Sequence, residues 1–112
     1  MKWELEEEQN YVVVRPLLAR LDSAVAPEFR TFVSDLSAEQ RKQILLDLSN
    51  VEFMDSSGLG AVVGCYKLTK SVGGLLVCNV QQQVKDIFRL THMDRIFEVN
   101  DSFETCVDKL AA

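Results

Sequence analysis

The segment Phe53–Gly64, FMDSSGLGAVVG, holds the side chains of this chain that are best arranged to do chemistry. Asp55 precedes two serines, Ser56 and Ser57, and glycines follow at positions 58 and 60. Hydroxyl groups beside an acid at the start of a helix fit four interpretations: a nucleophile, a nucleotide-binding loop, a phosphorylation site or a well-capped helix. Other residues of the chain argue against the first two.

A nucleophilic serine needs a general base that takes its proton. The single histidine, His92, lies far away in the segment THMD. The nucleophile-elbow pattern G-x-S-x-G is absent, because Met54 stands two positions before Ser56. No group of potential metal ligands has the spacing of a metal site. The sequence therefore predicts a protein that is not an enzyme, with no catalytic residues and no metal of its own.

The glycines of the segment are close to a dinucleotide-binding fingerprint. Gly58, Gly60 and Gly64 form the pattern G-x-G-x-x-x-G before a predicted helix. The acid that would bind a ribose after the next strand is missing, since Asn79 and Val80 stand there, and the sequence contains no G-K-[ST]. We therefore interpret the glycines as points of close helix–strand packing and expect no cofactor.

The two remaining interpretations both use the helix start. Asp55, Ser56 and Ser57 are favoured at helix N-termini, so a capped helix alone explains the segment. A phosphate on serine would also be favourable there, because free backbone amides and the helix dipole face the added charge. Asp55 would repel that charge, so the phosphate would suit a switch that controls the binding of a partner and not a modification that stabilises the fold. The residues alone leave both interpretations open.

Composition limits the classes of protein that are possible. The 112 residues, 47% hydrophobic and 26% charged, suit one domain spanning residues 1–112. The net charge of −5 opposes binding to nucleic acid or to an anionic membrane. The acidic start lacks the apolar core of a signal peptide, and no apolar run is long enough to span a membrane. We expect Cys65, Cys78 and Cys106 to be reduced core thiols of a cytoplasmic protein.

The apolar pattern predicts an α/β fold with a mixed sheet and the element order ββαβαβαβα. The predicted strands are a hairpin from the Trp3 region and residues 11–18, with an edge or bulge at Pro16, and then residues 44–48, 75–80 and 96–99. The predicted helix faces are Phe29, Phe32, Val33 and Leu36 after Pro27; Leu59, Val62, Val63 and Tyr66; Val84, Ile87 and Phe88; and Phe103, Cys106, Val107 and Leu110 after a capping box of Asp101 and Glu104. The Ser56 segment thus follows a buried strand, where sites gather in such folds.

Three stretches resemble one family. DLSNVEFMDSSGLGAVVGCYKLTK, residues 47–70, resembles the signature of bacterial anti-sigma factor antagonists of the STAS family. ARLDSAVAPEF, residues 19–29, resembles the family's G-x-L-D segment, with Ala19 in place of the usual glycine. LLVCNVQQQVKDIFRLTHMDRIFEV resembles its closing strand–helix–strand.

The resemblance implies partner switching. The family's phosphorylated serine falls on Ser56, and its partner-binding positions fall on Asp22, Asp55, Ser57, Gly58, Leu59 and Gly60. The unphosphorylated protein would bind an anti-sigma factor with serine kinase activity and release a sigma factor. Phosphorylation would end the complex, and a PP2C-type phosphatase would reverse it. The nucleotide and metal would belong to these partners.

The resemblance also fits two kinds of STAS domain that are not partner switches. One is an interaction module of a stress-signalling or membrane-transport complex that needs no phosphorylation. The other is a nucleotide- or lipid-binding STAS domain. An intact Asp55–Ser56 pair favours the switch over both.

Overall fold

The computed structural model describes residues 2–96, 99–100 and 102–111, and for residues 110 and 111 it describes the backbone only. The elements are β1 (Trp3–Glu7), β2 (Tyr11–Pro16), β3 (Arg20–Leu21), α1 (Ala26–Gln40), β4 (Gln43–Asp47), β5 (Phe53–Met54), α2 (Ser56–Thr69), β6 (Leu75–Cys78), α3 (Gln82–Leu90), β7 (Val99–Asn100) and α4 (Phe103–Ala111). A 3₁₀ turn, Met93–Arg95, precedes β7. Without the short strands β3 and β5, this is the predicted order.

The main sheet is mixed, as predicted. Its five strands lie in the order β1-β2-β4-β6-β7. The β1–β2 hairpin is antiparallel, and the other neighbours are parallel. Pro16 ends β2 opposite Trp3, beyond the last β2–β4 pair, which joins Val14 to Leu46. β2 is an inner strand, between β1 and β4, so the expected edge is found only at Pro16 itself. Because Pro16 lies beyond the pairing with β4, the nitrogen of Pro16 is not needed as a donor there.

Helices cover both faces of this sheet. Alternate strand residues such as Val12 and Val14 point to one face and pack with α1, α2 and α3. Val13 and Leu45 point to the other face, where they pack with Cys106 of α4. Three consecutive valines at 12–14 are therefore completely buried, which explains why the strands are continuous apolar runs.

The buried side of α2 differs slightly from the predicted one. Leu59, Val62 and Cys65 are buried, whereas Val63 and Tyr66 are half-buried at the margin of the same core. The helix carries apolar side chains on much of its circumference, so the spacing of these residues in the sequence did not define the centre of the buried face.

The C-terminal elements follow the prediction in part. The last strand is Val99–Asn100, and Ile96 instead follows the 3₁₀ turn and is exposed. Residues 97 and 98 of that predicted strand, the predicted cap Asp101 and the side chain of Leu110 lie outside the described part of the chain. Among the described residues, Ser102 serves the first turn of α4, since its Oγ accepts a hydrogen bond from the Thr105 amide at 3.1 Å.

A polar network ties the end of β4 to α4. Asp47 receives hydrogen bonds from Arg15 Nε at 2.7 Å, the Ser49 amide at 3.0 Å and Asn79 Nδ2 at 3.1 Å. Asn79 Oδ1 in turn accepts from the Phe103 amide at 2.9 Å. Burial opposes ionisation of Asp47, but these hydrogen bonds outweigh it and hold the pKa of its carboxyl below the ordinary value.

The three cysteines are buried and form no disulfide. Burial raises the pKa of the Cys65 thiol to about 11, so this thiol stays protonated near neutral pH. The prediction that the three cysteines lie in the core is therefore confirmed.

Candidate functional site

A two-stranded parallel sheet of β3 and β5 brings the two predicted site loops together. Arg20 pairs with Phe53, and Leu21 pairs with Met54. The loop before α1 and the loop before α2 therefore leave neighbouring strands at the same end. Neither strand was predicted, because a strand of two residues is too short to show a periodic pattern in the sequence.

Asp55 joins these two loops. It is the N-cap of α2, and its Oδ1 accepts a hydrogen bond from the Gly58 amide at 2.9 Å. Its Oδ2 accepts from the Ser23 amide of the other loop at 3.3 Å. One carboxylate thus caps a helix and fixes the helix start against the neighbouring loop.

The two serines begin α2, and both are exposed. The structure therefore confirms the predicted helix start, with a free surface at both hydroxyl groups. Ser56 directly follows the capping residue, so its position relative to the loop before α1 depends on Asp55.

Gly58 and Gly60 have different environments. A Cβ added to Gly58 would stand 2.0 Å from the backbone oxygen of Leu21, so the close contact between α2 and β3 requires glycine. A Cβ on Gly60 would meet nothing within 4 Å. The predicted close helix–strand packing is therefore confirmed for Gly58 and wrong for Gly60, which leaves open space on the surface.

Leu59 lies below the surface rather than on it. Its side chain is 7% exposed and belongs to the core between α2 and the sheet. Leu59 and the buried Gly58 can thus support a partner-binding surface from beneath, while Asp55, Ser57 and Gly60 lie nearer to solvent. Partner contact by any of them stays a prediction.

Asp22 organises the loop before α1. Its Oδ1 accepts a hydrogen bond from the Ala24 amide at 3.0 Å, and its backbone oxygen accepts from the amides of Val25 and Ala26. Arg20 Nε donates to Asp22 Oδ2 at 3.4 Å, and the Arg20 guanidinium lies 4.2 Å from the centroid of the Phe53 ring. A charged, partly exposed group therefore lies in the loop next to the Ser56 segment, and its contact with a partner stays a prediction.

Gln83 of α3 also reaches this segment. Its Oε1 accepts a hydrogen bond from the Met54 amide at 3.0 Å, and its Nε2 donates to the Met54 oxygen at 3.3 Å. Gln83 was not predicted as a site residue, since its side chain bonds to backbone groups far away along the chain.

A groove of about 690 Å³ extends from Ser57 along α1 and α2. Ser23, Arg30, Ser57, Gly60 and Leu68 are among its lining residues. The Arg30 guanidinium lies against α2, where a Cβ added to Gly64 would come within 2.9 Å of its Cζ. Ser57, the residue after Ser56, therefore borders a concave surface large enough for side chains of another protein.

The described residues contain no group of three or more histidine, cysteine or acidic side chains that could hold a metal ion. His92 precedes the 3₁₀ turn after α3 and is not part of the loops around Ser56. Within the same residues, no helix combines the length and apolar character needed to cross a bilayer.

Residues 2–106 match the STAS domain family, and the chain belongs to that family. It is 34% identical over 109 residues to the anti-sigma F factor antagonist of Paenibacillus polymyxa, a match that covers 96% of this chain and 90% of that protein.

Solved structures agree with this assignment. The fold superposes with a TM-score of 0.88 on a putative anti-sigma factor antagonist from Thermotoga maritima, at 26% identity over 98% of this chain and 95% of that one. The antagonist SpoIIAA in its unphosphorylated form has the same fold, with a TM-score of 0.72 at 24% identity over 98% of each chain. A Bacillus SpoIIAA structure in the phosphorylated form gives a TM-score of 0.70 at 23% identity, over 96% of this chain and 98% of that one.

Proposed function

We propose that this protein is an anti-sigma factor antagonist that is switched off by phosphorylation of Ser56. The observation that carries the proposal is the exposed Ser56 at the start of α2, held beside the Asp22 loop by the bond between Asp55 and the Ser23 amide. The names of the relatives support the antagonist role. The existence of SpoIIAA in a phosphorylated form supports the switch.

The partner surface in this proposal consists of Asp22, Asp55, Ser57 and Gly60 together with the groove between α1 and α2. Two observations support this grouping: the β3–β5 pairing aligns the loop of Asp22 with the loop that ends at Asp55, and Ser57 and Gly60 line the groove. Gly58 and Leu59 act from beneath by setting the depth of α2 against β3 and the core.

The partner is an anti-sigma factor with serine kinase activity. It transfers the γ-phosphoryl group of ATP to Ser56 Oγ, ADP leaves, and the proton of the hydroxyl passes to a base. The Asp55 carboxylate is already engaged by the amides of Gly58 and Ser23. The base and the metal therefore come from the kinase, and this chain contributes only the acceptor.

The added phosphate ends the complex through its charge. It brings about −1.5 to −2 charges near pH 7, next to the carboxylate of Asp55. Like charges facing each other at an interface cost several kcal/mol, and about 1.4 kcal/mol corresponds to a tenfold change in affinity. We therefore expect phosphorylation to weaken the complex on the order of 100-fold or more. A PP2C-type phosphatase then restores the binding form in the cytoplasm.

Phosphorylation by the anti-sigma factor encoded nearest to this gene tests the proposal. The two purified proteins are incubated with ATP and Mg²⁺, and the phosphate is located by mass spectrometry. We expect one phosphate on Ser56 in wild type and in Ser57→Ala, and none in Ser56→Ala. Phosphate on Ser57 in the intact protein contradicts the assignment.

Affinity and sigma-factor release test the switch itself. By calorimetry, Ser56→Ala should bind the anti-sigma factor as wild type does, and Ser56→Asp should bind more weakly. Wild type and Ser56→Ala should both release sigma factor from its complex, and Ser56→Asp should release less. Equal affinities for Ser56→Asp and wild type argue against a charge-based switch. Binding without any phosphorylation instead favours a plain STAS interaction module.

A further inference from the structure

We propose that Gln83 is a positioning residue that holds the Ser56 segment in the conformation bound by the kinase partner. This inference rests on the proposed function. It assigns a role to α3, an element that carries none of the residues placed on the partner surface.

The Gln83 amide pairs with both backbone groups of a single residue. Its oxygen accepts from the Met54 amide at 3.0 Å, and its nitrogen donates to the Met54 oxygen at 3.3 Å. A neighbouring β-strand would satisfy the same two groups in a similar way. The Gln83 side chain thus supplies the acceptor and the donor that a neighbouring strand would supply to Met54 of β5.

The opposite edge of β5 is already occupied by β3. The Phe53 amide donates to the Ala19 oxygen at 3.0 Å, which directs the bonding groups of Phe53 toward the β3 side. In a parallel pair, the backbone groups of the next residue point to the other edge. Those of Met54, a residue with no exposed surface, therefore face α3, where Gln83 meets them.

The position of Met54 determines that of the acceptor. Asp55 and Ser56 follow it directly, as the cap and the first residue of α2. The segment is fixed to the loop before α1 by the Asp55–Ser23 bond and to β3 by the contact of Gly58 with Leu21. Gln83 provides an attachment to a different element, so it restrains movements of β5 that the first two contacts permit.

Gln83 is itself exposed, although its amide points inward to Met54. Water can therefore reach the Met54 groups when the side chain is shortened, and the core does not lose packing. What is lost is the preorganisation of the segment. A partner must then order the segment on binding, which lowers affinity without removing any contact.

Gln83→Ala tests this role, with Gln82→Ala as the matched control. Gln82 is the neighbouring exposed glutamine, and its Nε2 donates to Asp86 Oδ1 within α3 at 2.7 Å. Amide hydrogen exchange is measured on the full chain without any partner. We expect Met54 to exchange about tenfold faster in Gln83→Ala, with Val62 unchanged, and neither amide to change in Gln82→Ala. An unchanged Met54 exchange rate overturns the proposal, whatever the partner is.

Kinetics with the kinase give the functional measurement. In Gln83→Ala the KM for this protein as substrate should rise about tenfold while kcat stays within about twofold, because the partner pays the ordering cost on binding. In Gln82→Ala both constants should match wild type. An unchanged KM in Gln83→Ala overturns the positioning role. A wild-type protein that is never phosphorylated overturns the proposed function, and the exchange result then still decides whether Gln83 restrains Met54.

Gln83→Glu keeps the test decisive if Gln83→Ala does not fold. Its carboxylate can accept from the Met54 amide, but at neutral pH it has no hydrogen to donate to the Met54 oxygen. We expect exchange and KM values between those of wild type and Gln83→Ala. Wild-type values for Gln83→Glu show that the paired geometry is not needed and contradict the proposal.

Discussion

Asp55 and Ser23 belong to different loops, and a 3.3 Å hydrogen bond from the Ser23 amide to Asp55 Oδ2 joins them. The same carboxylate caps α2 through its other oxygen. The start of α2 and the link between the two loops therefore depend on one side chain, through two different oxygens. A substitution that keeps one oxygen and replaces the other can separate the two roles.

Asp55→Asn and Asp55→Ala make this separation. We expect Asp55→Ala to lower the free energy of unfolding by about 1–2 kcal/mol, since the cap is lost. Asp55→Asn retains an oxygen for the Gly58 amide, so it should keep most of that stability, while its amide group cannot accept from Ser23. Both variants should bind the anti-sigma factor more weakly. Urea unfolding and calorimetry measure the two effects, and an equal stability loss in both variants contradicts the capping role.

Gly58→Ala and Gly60→Ala should have opposite effects on stability. The first places a methyl group against the backbone oxygen of Leu21 and should cost about 3 kcal/mol, the upper end for overpacking. The second adds a methyl group in open space on a helix and should stabilise by about 0.5–1 kcal/mol. Thermal unfolding of both variants checks this contrast. A stable Gly58→Ala protein contradicts the close contact between α2 and β3.

The buried face of α2 is tested by charge at two adjacent positions. Val62 has no exposed surface, whereas Val63 is half-buried. We expect Val62→Asp to destabilise by several kcal/mol, because the carboxylate is buried without a partner. Val63→Asp should cost clearly less, since its carboxylate can reach water. Equal melting temperatures for the two variants contradict this orientation of the helix.

Asp47 should make stability depend on pH in the acid range. Burial raises the pKa of its carboxyl, but the hydrogen bonds from Arg15, Ser49 and Asn79 lower this pKa by more than burial raises it. The pKa therefore lies below the ordinary value. Because the folded pKa is the lower one, Asp47 stabilises the fold above the unfolded pKa of about 3.9, and this contribution disappears as pH falls through the folded value.

Asp47→Asn tests this dependence. The variant should be less stable than wild type at pH 7, and the difference should shrink below about pH 4. Urea midpoints measured between neutral and acid pH give the comparison. A difference that does not change with pH shows that the ionised form of Asp47 is not what stabilises the fold.

The element order and the mixed sheet could be predicted because the strands buried on two faces are continuous apolar runs. Val12, Val13 and Val14 show why: each is buried, whichever face it points to. The strands β3 and β5 could not be predicted, since two residues carry no period and depend on tertiary contacts. Their pairing is nevertheless what aligns the two site loops.

At the site, residue types predicted the helix start at Ser56 and the acid beside it. The apolar pattern also predicted that Leu59 lies on the buried face of α2, where it is found, although the resemblance placed it among the partner-binding positions. Gln83 was not predicted, because nothing in the sequence distinguishes a glutamine that bonds to the backbone of a distant residue from other polar residues on an exposed helix. The phosphorylation of Ser56 stays a prediction.

The position of β1 at one edge of the main sheet has a consequence for self-association. An unpaired edge strand can template the addition of a strand from another molecule, the first step of many aggregates. Here Glu4, Glu6 and Glu7 are exposed along that edge. Arg15 of the inner strand contacts Glu4 and Glu6, but it lies on the side away from an incoming chain. A second copy aligned on β1 would bring carboxylates against carboxylates, so the acidic edge protects the protein against aggregation by strand addition.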